Sequence, residues 1–191
     1  DFIDDHNGWA VGGTGTFAST ADGGATWKAI QISRELLFDV SFVNTETGWA
    51  VGSDGAIFNT VDGGESWDYQ TVNSPTYILG VDFIDDTTGW VVGQKGTILK
   101  SLDGGVSWIS QSSGVVESLL AIEAEDSLIA TAVGTDGVVI STHDGGSTWE
   151  ILREPTALFD LHFVDPHNGW VVGSYGMMLR TRDGGFNYDR L

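Results

Sequence analysis

Five aspartates in this sequence stand in one setting: Asp22, Asp62, Asp103, Asp144 and Asp183 each follow a Ser or Thr by two residues and precede two glycines. A carboxylate beside glycine-rich backbone can serve as a general acid or base, or it can hold a turn together by accepting amide hydrogen bonds. Spacing chooses between the two. The steps between the aspartates are 40, 41, 41 and 39 residues, and a near-constant period of that size marks a repeat architecture. Catalysis gives no reason to copy one carboxylate five times, whereas a turn needed in every unit does. These aspartates are read as structural, because Asp before Gly-Gly suits a tight turn in which the glycines take positive φ. Trp27, Trp67, Trp108 and Trp149 close the first four copies and Tyr188 the fifth, and each tryptophan is expected to fold back and bury its ring.

A second motif shares the period. Gly8-Trp9-Ala10-Val11-Gly12 returns as Gly48-Trp49-Ala50-Val51-Gly52, Gly89-Trp90-Val91-Val92-Gly93 and Gly169-Trp170-Val171-Val172-Gly173, with a decayed copy at Ala130-Thr131-Ala132-Val133-Gly134. Alternating apolar runs flank each copy, as in Val40-Ser41-Phe42-Val43 before and Ala56-Ile57-Phe58 after. One unit therefore predicts four strands, at Val40 to Val43, Gly48 to Gly52, Ala56 to Thr60 and Ser66 to Gln70. The alternation has period 2, Gly and Asp turns separate the runs, and nothing recurs at helical spacing. Four short strands in about 40 residues is the pattern of a β-propeller blade. The expected fold is all-β: five four-stranded antiparallel blades at approximately 1–30, 40–70, 81–111, 121–152 and 161–191, in a single domain.

Composition narrows the function. The formal charge is −19, from 8 Lys plus Arg against 27 Asp plus Glu, which argues against nucleic acid and anionic membrane surfaces as partners. No apolar run is long enough to span a bilayer, so no membrane insertion is expected. The absence of Cys excludes disulfides and thiolate metal sites, and His6, His143, His162 and His167 lack metal-ligand spacing. Neither metal nor cofactor is expected. No signal peptide is visible, but the sequence does not start with Met, and a removed leader would place the protein outside the cytoplasm, in a periplasm, a lumen or the exterior.

The pattern Ser/Thr-x-Asp-Gly-Gly-x-Ser/Thr-Trp is the Asp-box, or bacterial neuraminidase repeat. Combined with the Gly-Trp-(Ala/Val)-Val-Gly strand at this spacing, it resembles the photosystem II stability/assembly factor family over essentially the whole chain. The resemblance implies a larger, seven-bladed propeller of which this chain supplies five blades, a closed five-bladed ring being the alternative. It also implies a non-enzymatic assembly scaffold that binds another protein. Relatives in that family carry an arginine patch, which does not map residue by residue onto this sequence. The wider Asp-box class includes sialidases, which need three arginines around a substrate carboxylate and a Phe-Arg-Ile-Pro segment; the segment is absent here, and only Arg34, Arg153, Arg180, Arg182 and Arg190 exist.

Propeller topology then sorts the polar residues. The one-to-two loops share a face with the Asp-boxes and are acidic, as in Asp4-Asp5-His6-Asn7, Asp85-Asp86 and Glu125-Asp126. These read as solvated turn formers, or alternatively as a site for calcium or a cationic partner. The opposite face, made of four-to-one linkers and two-to-three turns, is expected to carry Lys28, Arg34, Glu35, Tyr77, Lys95, Arg153, Glu154 and Tyr175. Arg34 with Glu35 and Arg153 with Glu154 read as pairs bracing their linkers or as parts of a partner-binding rim. The candidates for partner binding are Arg34, Glu35, Tyr77, Lys95, Arg153, Glu154 and Tyr175, and no residue is assigned to catalysis. The alternative is a glycan-binding or glycoside-hydrolase propeller in which Asp39 and Asp160, near the axis, are the two carboxylates.

Overall fold

The computed structural model describes residues 1–70, 72 and 76–191. It is all-β, with four sheets of four antiparallel strands and a first sheet of three. The first sheet holds β1 (Gly8–Gly12), β2 (Thr16–Thr20) and β3 (Lys28–Gln31). Its fourth, innermost position is held by a bridge between Phe2 and Gly8 and by backbone hydrogen bonds exchanged between Asp1 and Trp9. The second comprises β4 (Leu37–Phe42), β5 (Gly48–Gly52), β6 (Ile57–Thr60) and β7 (Asp68–Gln70). The third comprises β8 (Ile78–Phe83), β9 (Gly89–Gly93), β10 (Thr97–Ser101) and β11 (Ile109–Ser112). The fourth comprises β12 (Leu119–Ala124), β13 (Ala130–Gly134), β14 (Val138–Thr142) and β15 (Glu150–Arg153). The fifth comprises β16 (Leu158–Asp165), β17 (Asn168–Gly173), β18 (Met178–Thr181) and β19 (Asp189–Arg190).

The second strand of the unit matches its expected bounds, but the first starts three residues earlier, at Leu37, and the fourth starts two later, at Asp68. The early start follows from a register shift between Leu37 and Asp39, which the alternation rule does not anticipate. The innermost strands β4, β8, β12 and β16 pack side by side around the axis. Strands β5, β9 and β13 are buried along their whole length, whereas β1 and β17 leave Ala10 and Val172 exposed.

The Gly-Trp motif explains the packing between blades. Trp9 stacks on Phe42 of the next blade at 3.8 Å with a 5° angle between rings, and Trp49 stacks on Phe83 at 3.5 Å and 3°. Beneath each Phe lies the first glycine of its own blade's motif: a Cβ on Gly48 would sit 2.6 Å from the Phe42 ring. The closing glycine is needed for a different reason, since a Cβ on Gly52 would collide with the Leu36 carbonyl of the linker. Trp49 and Trp90 are the largest fully buried side chains.

The Asp-box tryptophans bury less than the sequence reading expects. Trp27 is 43% exposed, and Trp67, Trp108 and Trp149 are partly exposed. They pack edge-on at the blade margin, Trp67 against Phe17 at 4.9 Å and Trp108 against Phe83 at 5.9 Å. The Asp-box turn itself is a closed network. Asp62 Oδ1 accepts the Ser66 amide at 2.9 Å and the Thr60 hydroxyl at 2.8 Å, and Thr60 Oγ1 accepts the Gly64 amide at 2.9 Å. The buried member of the network is Thr60, while Asp62 is exposed.

Two substitutions test this account of stability. Trp49→Ala empties the centre of a junction and is expected to cost about 3–5 kcal/mol. Thr60→Val keeps the shape of the turn but leaves the buried Gly64 amide without an acceptor, at about 1–3 kcal/mol. Denaturant unfolding followed by tryptophan fluorescence measures both, and a Thr60→Val variant as stable as the parent would show that the network is ornamental.

Candidate functional site

Hydrogen bonds fix the two faces. The Asp-box amides of Gly23, Gly63, Gly104, Gly145 and Gly184 donate to carbonyls of the one-to-two loops, at His6, Glu46, Thr87, Leu128 and His167. On the other side, the two-to-three turns donate to the linkers: Ser53 to Leu36, Gln94 to Tyr77, Thr135 to Ser118 and Ser174 to Ala157. Each of these four turns is thereby tied to the linker that leads into its own blade.

The acidic loops of the Asp-box face are built as turns. Asp85 Oδ1 accepts the amides of Thr87 and Thr88, Asp126 Oδ1 those of Leu128 and Ile129, and Asp165 Oδ1 those of His167 and Asn168. Hydrogen bonds, chiefly from the Asn7 side chain to Asp4, the Thr87 hydroxyl to Asp85 and the His167 amide to Asp165, hold these three carboxyls below their usual range. Among the described residues no cluster of His, Asp and Glu is arranged to hold a metal ion.

On the linker and turn face, Arg34, Tyr77, Lys95, Arg153 and Tyr175 are exposed, and Glu35 and Glu154 are partly exposed. Arg153 does not pair with Glu154: its Nη1 reaches Glu117 Oε1 of the preceding linker at 2.7 Å. Glu117 occupies the repeat position of Glu35, a correspondence the sequence contains but adjacency hides. Glu35 turns its carboxylate onto its own loop, accepting the Arg34 amide at 3.0 Å, so Arg34 and Glu35 form no ion pair between side chains. Arg34 and Lys95 take part in no ion pair among the described residues. Tyr77 packs at 5.7 Å against Phe38, which the register shift at the start of β4 turns outward. Lys95 stands at the rim of a cleft of about 620 Å³ lined also by Thr97, Leu99, Trp108 and Ser110. Lys28 is misplaced by the topological sorting: it opens β3 at the Asp-box end, where its Nζ meets Glu65 of the next blade at 2.8 Å.

The axis holds more acid than the two aspartates singled out from the sequence. An opening of about 550 Å³ is lined by Asp1, Asp39, Asp82, Glu123, Asp160 and His162 together with apolar backbone neighbours. Asp82 and Glu123 were missed because each looks unremarkable in its own strand. Aligned by the repeat, Asp1, Ser41, Asp82, Glu123 and His162 are one position. The first four of these accept an amide from the adjacent blade: Phe42 to Asp1 at 2.8 Å, Phe83 to Ser41 at 3.2 Å, Ala124 to Asp82 at 2.7 Å and Phe163 to Glu123 at 3.0 Å. Asp39 accepts the Val81 amide in the same manner at 2.9 Å, and Asp160 accepts the Leu161 amide at 2.9 Å. Asp1, Asp39, Asp82 and Glu123 thus stitch blades together, while the Asp160 bond stays within its own strand. Burial raises Asp39 to about 6, Asp82 to about 7 and Glu123 to about 7, with the neighbouring carboxylates adding to the rise.

The sign of the resulting pH dependence follows. All three axial values lie above the unfolded range near 4, so the stability they contribute is fully present below about pH 4 and is lost as pH rises through 6 to 7. The Asp-box groups Asp22, Asp62 and Asp144 are held near 2, chiefly by hydrogen bonds from Thr26, Ser66 and Thr148. Their contribution is present above about pH 4 and is lost as pH falls toward 2. Melting temperature is expected to fall between pH 5 and 8, and Asp82→Asn with Glu123→Gln to flatten that fall. A melting temperature that climbs over the same interval would contradict the assignment.

Comparison with known proteins places this geometry. No curated protein sequence matches the chain. Among solved structures, one described as "YCF48 bound to D1 peptide" is 21% identical with a TM-score of 0.58, over 99% of this chain and 78% of that one. YCF48 from Cyanidioschyzon merolae is 18% identical with a TM-score of 0.67, over 100% of this chain and 83% of its own. An ancestral GH74 enzyme reaches a TM-score of 0.76 at 12% identity, over 100% of this chain but 30% of its own. At these identities the likenesses establish the propeller fold alone. The family model is more specific: that of photosynthesis system II assembly factor YCF48 matches residues 29–78 and 69–158. Those two overlapping spans take in three of the five Asp-boxes and more than half of the sequence, and the chain belongs to the YCF48 assembly-factor family.

Proposed function

We propose that the chain is a non-enzymatic scaffold that binds another polypeptide on the face made by its linkers and two-to-three turns. The observation that carries the reading is the set of unengaged side chains there. Arg34 and Lys95 have no ion-pair partner among the described residues, Tyr175 is 99% exposed, and the Tyr77 and Phe38 rings lie together in partial exposure. Arginine and tyrosine offer large, rigid surfaces with fixed donors, which is why they anchor protein interfaces. On the Asp-box face the carboxylates are instead engaged by their own loops. Family membership supports the same direction, and the relative described with a D1 peptide supplies a first probe for this chain.

The axial carboxylates do not favour a glycosidase. Of Asp39 and Asp160, the pair that would have to act, Asp39 accepts the amides of Val40 and of Val81 in the next blade, which engages it in the fold, and Asp160 is exposed and accepts the amide of Leu161 beside it.

Arg34→Glu combined with Arg153→Glu tests the face. The double variant is expected to abolish capture of the D1 peptide by the immobilised chain while its melting temperature stays within a few degrees of the parent, since exposed ion pairs contribute little to stability. Capture that survives the double charge reversal would move the binding surface elsewhere. Glycoside hydrolysis that disappears in a folded Asp160→Asn variant would replace the scaffold by an enzyme.

A further inference from the structure

Every two-to-three turn places two successive residues at positive φ. They are Thr14-Gly15 (54° and 65°), Asp54-Gly55 (57° and 74°), Lys95-Gly96 (58° and 65°), Asp136-Gly137 (54° and 72°) and Tyr175-Gly176 (58° and 74°). This is the backbone of a type I′ hairpin turn, whose first central residue is best filled by Asn, Asp or Gly. Asp54 and Asp136 satisfy that preference. Thr14, Lys95 and Tyr175 do not, because a larger or β-branched side chain crowds its own backbone in the left-handed region. The second central residue is Gly in all five turns, so the chain keeps the preferred residue there throughout and departs from it at the first central position in three of the five.

Nothing inside the fold offsets the strain at two of these tips. Thr14 donates its hydroxyl to the Gly13 carbonyl at 2.7 Å. Lys95 and Tyr175 make no side-chain hydrogen bond or ion pair among the described residues, and both are exposed. Strained residues that the fold does not use are where function is to be sought. The tips of the second, third and fourth blades also carry a charge pattern, Asp54, Lys95, Asp136, in a molecule of net charge −19 in which a free cation at such a position is uncommon.

We propose that these turn tips are the positions that read the partner, Lys95 and Tyr175 above all, and that the segment they read is an extended stretch of polypeptide with an acidic side chain flanked by basic ones. Lys95 takes the acidic side chain, Asp54 and Asp136 repel competing acids and attract the flanking bases, and Tyr175 supplies an aromatic surface at the end of the row. Complementary charge of this kind chooses partners and register more than it adds raw affinity. The inference rests on the scaffold reading above and adds the residues and the partner chemistry to it.

Glycine substitution separates a reading position from a structural one. Lys95→Gly with Tyr175→Gly removes both side chains and gives the turn the residue its backbone prefers, so melting temperature is expected to hold or rise. The probes are the D1 peptide and peptides enriched on the native chain from a random display library. Enriched peptides are expected to show the basic-acidic-basic pattern, to bind the double glycine variant about tenfold or more weakly, and to exchange their acidic residue for a basic one when the selection is repeated on Lys95→Glu. A drop in melting temperature in the glycine variant, or unchanged affinity, would overturn the proposal. If Arg34→Glu with Arg153→Glu abolishes binding while the glycine variant binds normally, the scaffold reading stands and the tip assignment falls. If the native chain enriches no peptide and captures none, both fall together.

Discussion

The structure depends on what happens where one blade meets the next. The Asp-box turns of the second, third and fourth blades each present the carbonyl of their first glycine to the preceding blade, and that blade supplies a donor. Trp9 Nε1 serves Gly63 at 3.3 Å, and Trp49 Nε1 serves Gly104 at 3.0 Å with Gln70 Nε2 at 3.1 Å. A buried carbonyl without a partner would cost about as much as a lost hydrogen bond. The indole is suited to the task because one side chain closes the junction with its ring and satisfies the carbonyl with its edge. That dual use explains why the Gly-Trp strand and the Asp-box share one period: each is the other's binding partner across a junction.

The fourth blade shows how the constraint survives when the motif decays. Its innermost strand has Ala124 where Phe42 and Phe83 stand, so Trp90 of the third blade loses its stacking partner and its Nε1 has no acceptor. Lys100 fills the gap. Its ammonium lies 4.1 Å from the Trp90 ring and donates to the Gly145 carbonyl at 3.2 Å, with Gln111 Nε2 adding a bond at 2.8 Å. At the next junction Thr131 replaces the tryptophan, and the Ser141 hydroxyl reaches the carbonyl of Gly185, one residue past the equivalent glycine, at 3.3 Å. The first-glycine carbonyl is served at three successive junctions although the donor changes from indole to ammonium, and at the fourth the bond moves to the second glycine. A burial of Lys100 that would otherwise be costly is tolerated because two carbonyls and a ring surround the charge.

Much of this was legible in the sequence, and the limits have a physical shape. Strand order, turn positions and the separation of faces follow from local patterns of period 2 and from Gly and Asp chemistry, which act within a few residues. The axial acceptors Asp82 and Glu123 and the Arg153 to Glu117 pair join residues 36 to 42 positions apart, and adjacency cannot reveal them. Only superposition of the repeats does. Lys28 was misplaced because the end of β3 that it occupies depends on where the Asp-box turn stops, and the strand begins two residues later than the alternation suggests in the equivalent β7.

A repeat also offers an internal control for function. Positions that hold the same residue in blade after blade, such as the Asp-box carboxylate or the glycine that follows each turn tip, are accounted for by the fold, since the fold is what the blades have in common. Positions whose backbone is identical but whose residue varies are free of that demand. The turn tips are the sharpest instance: five superposable backbones with φ between 54° and 58° carry Thr, Asp, Lys, Asp and Tyr. By the same logic the axial carboxylates, which look more like a site, are less informative, because a side-chain acceptor recurs at one repeat position in four blades and does the same bonding each time. Chemistry that every blade shares belongs to the propeller. What differs between blades on a common backbone, as the turn tips do, is free to serve recognition, and partner reading is proposed there for that reason.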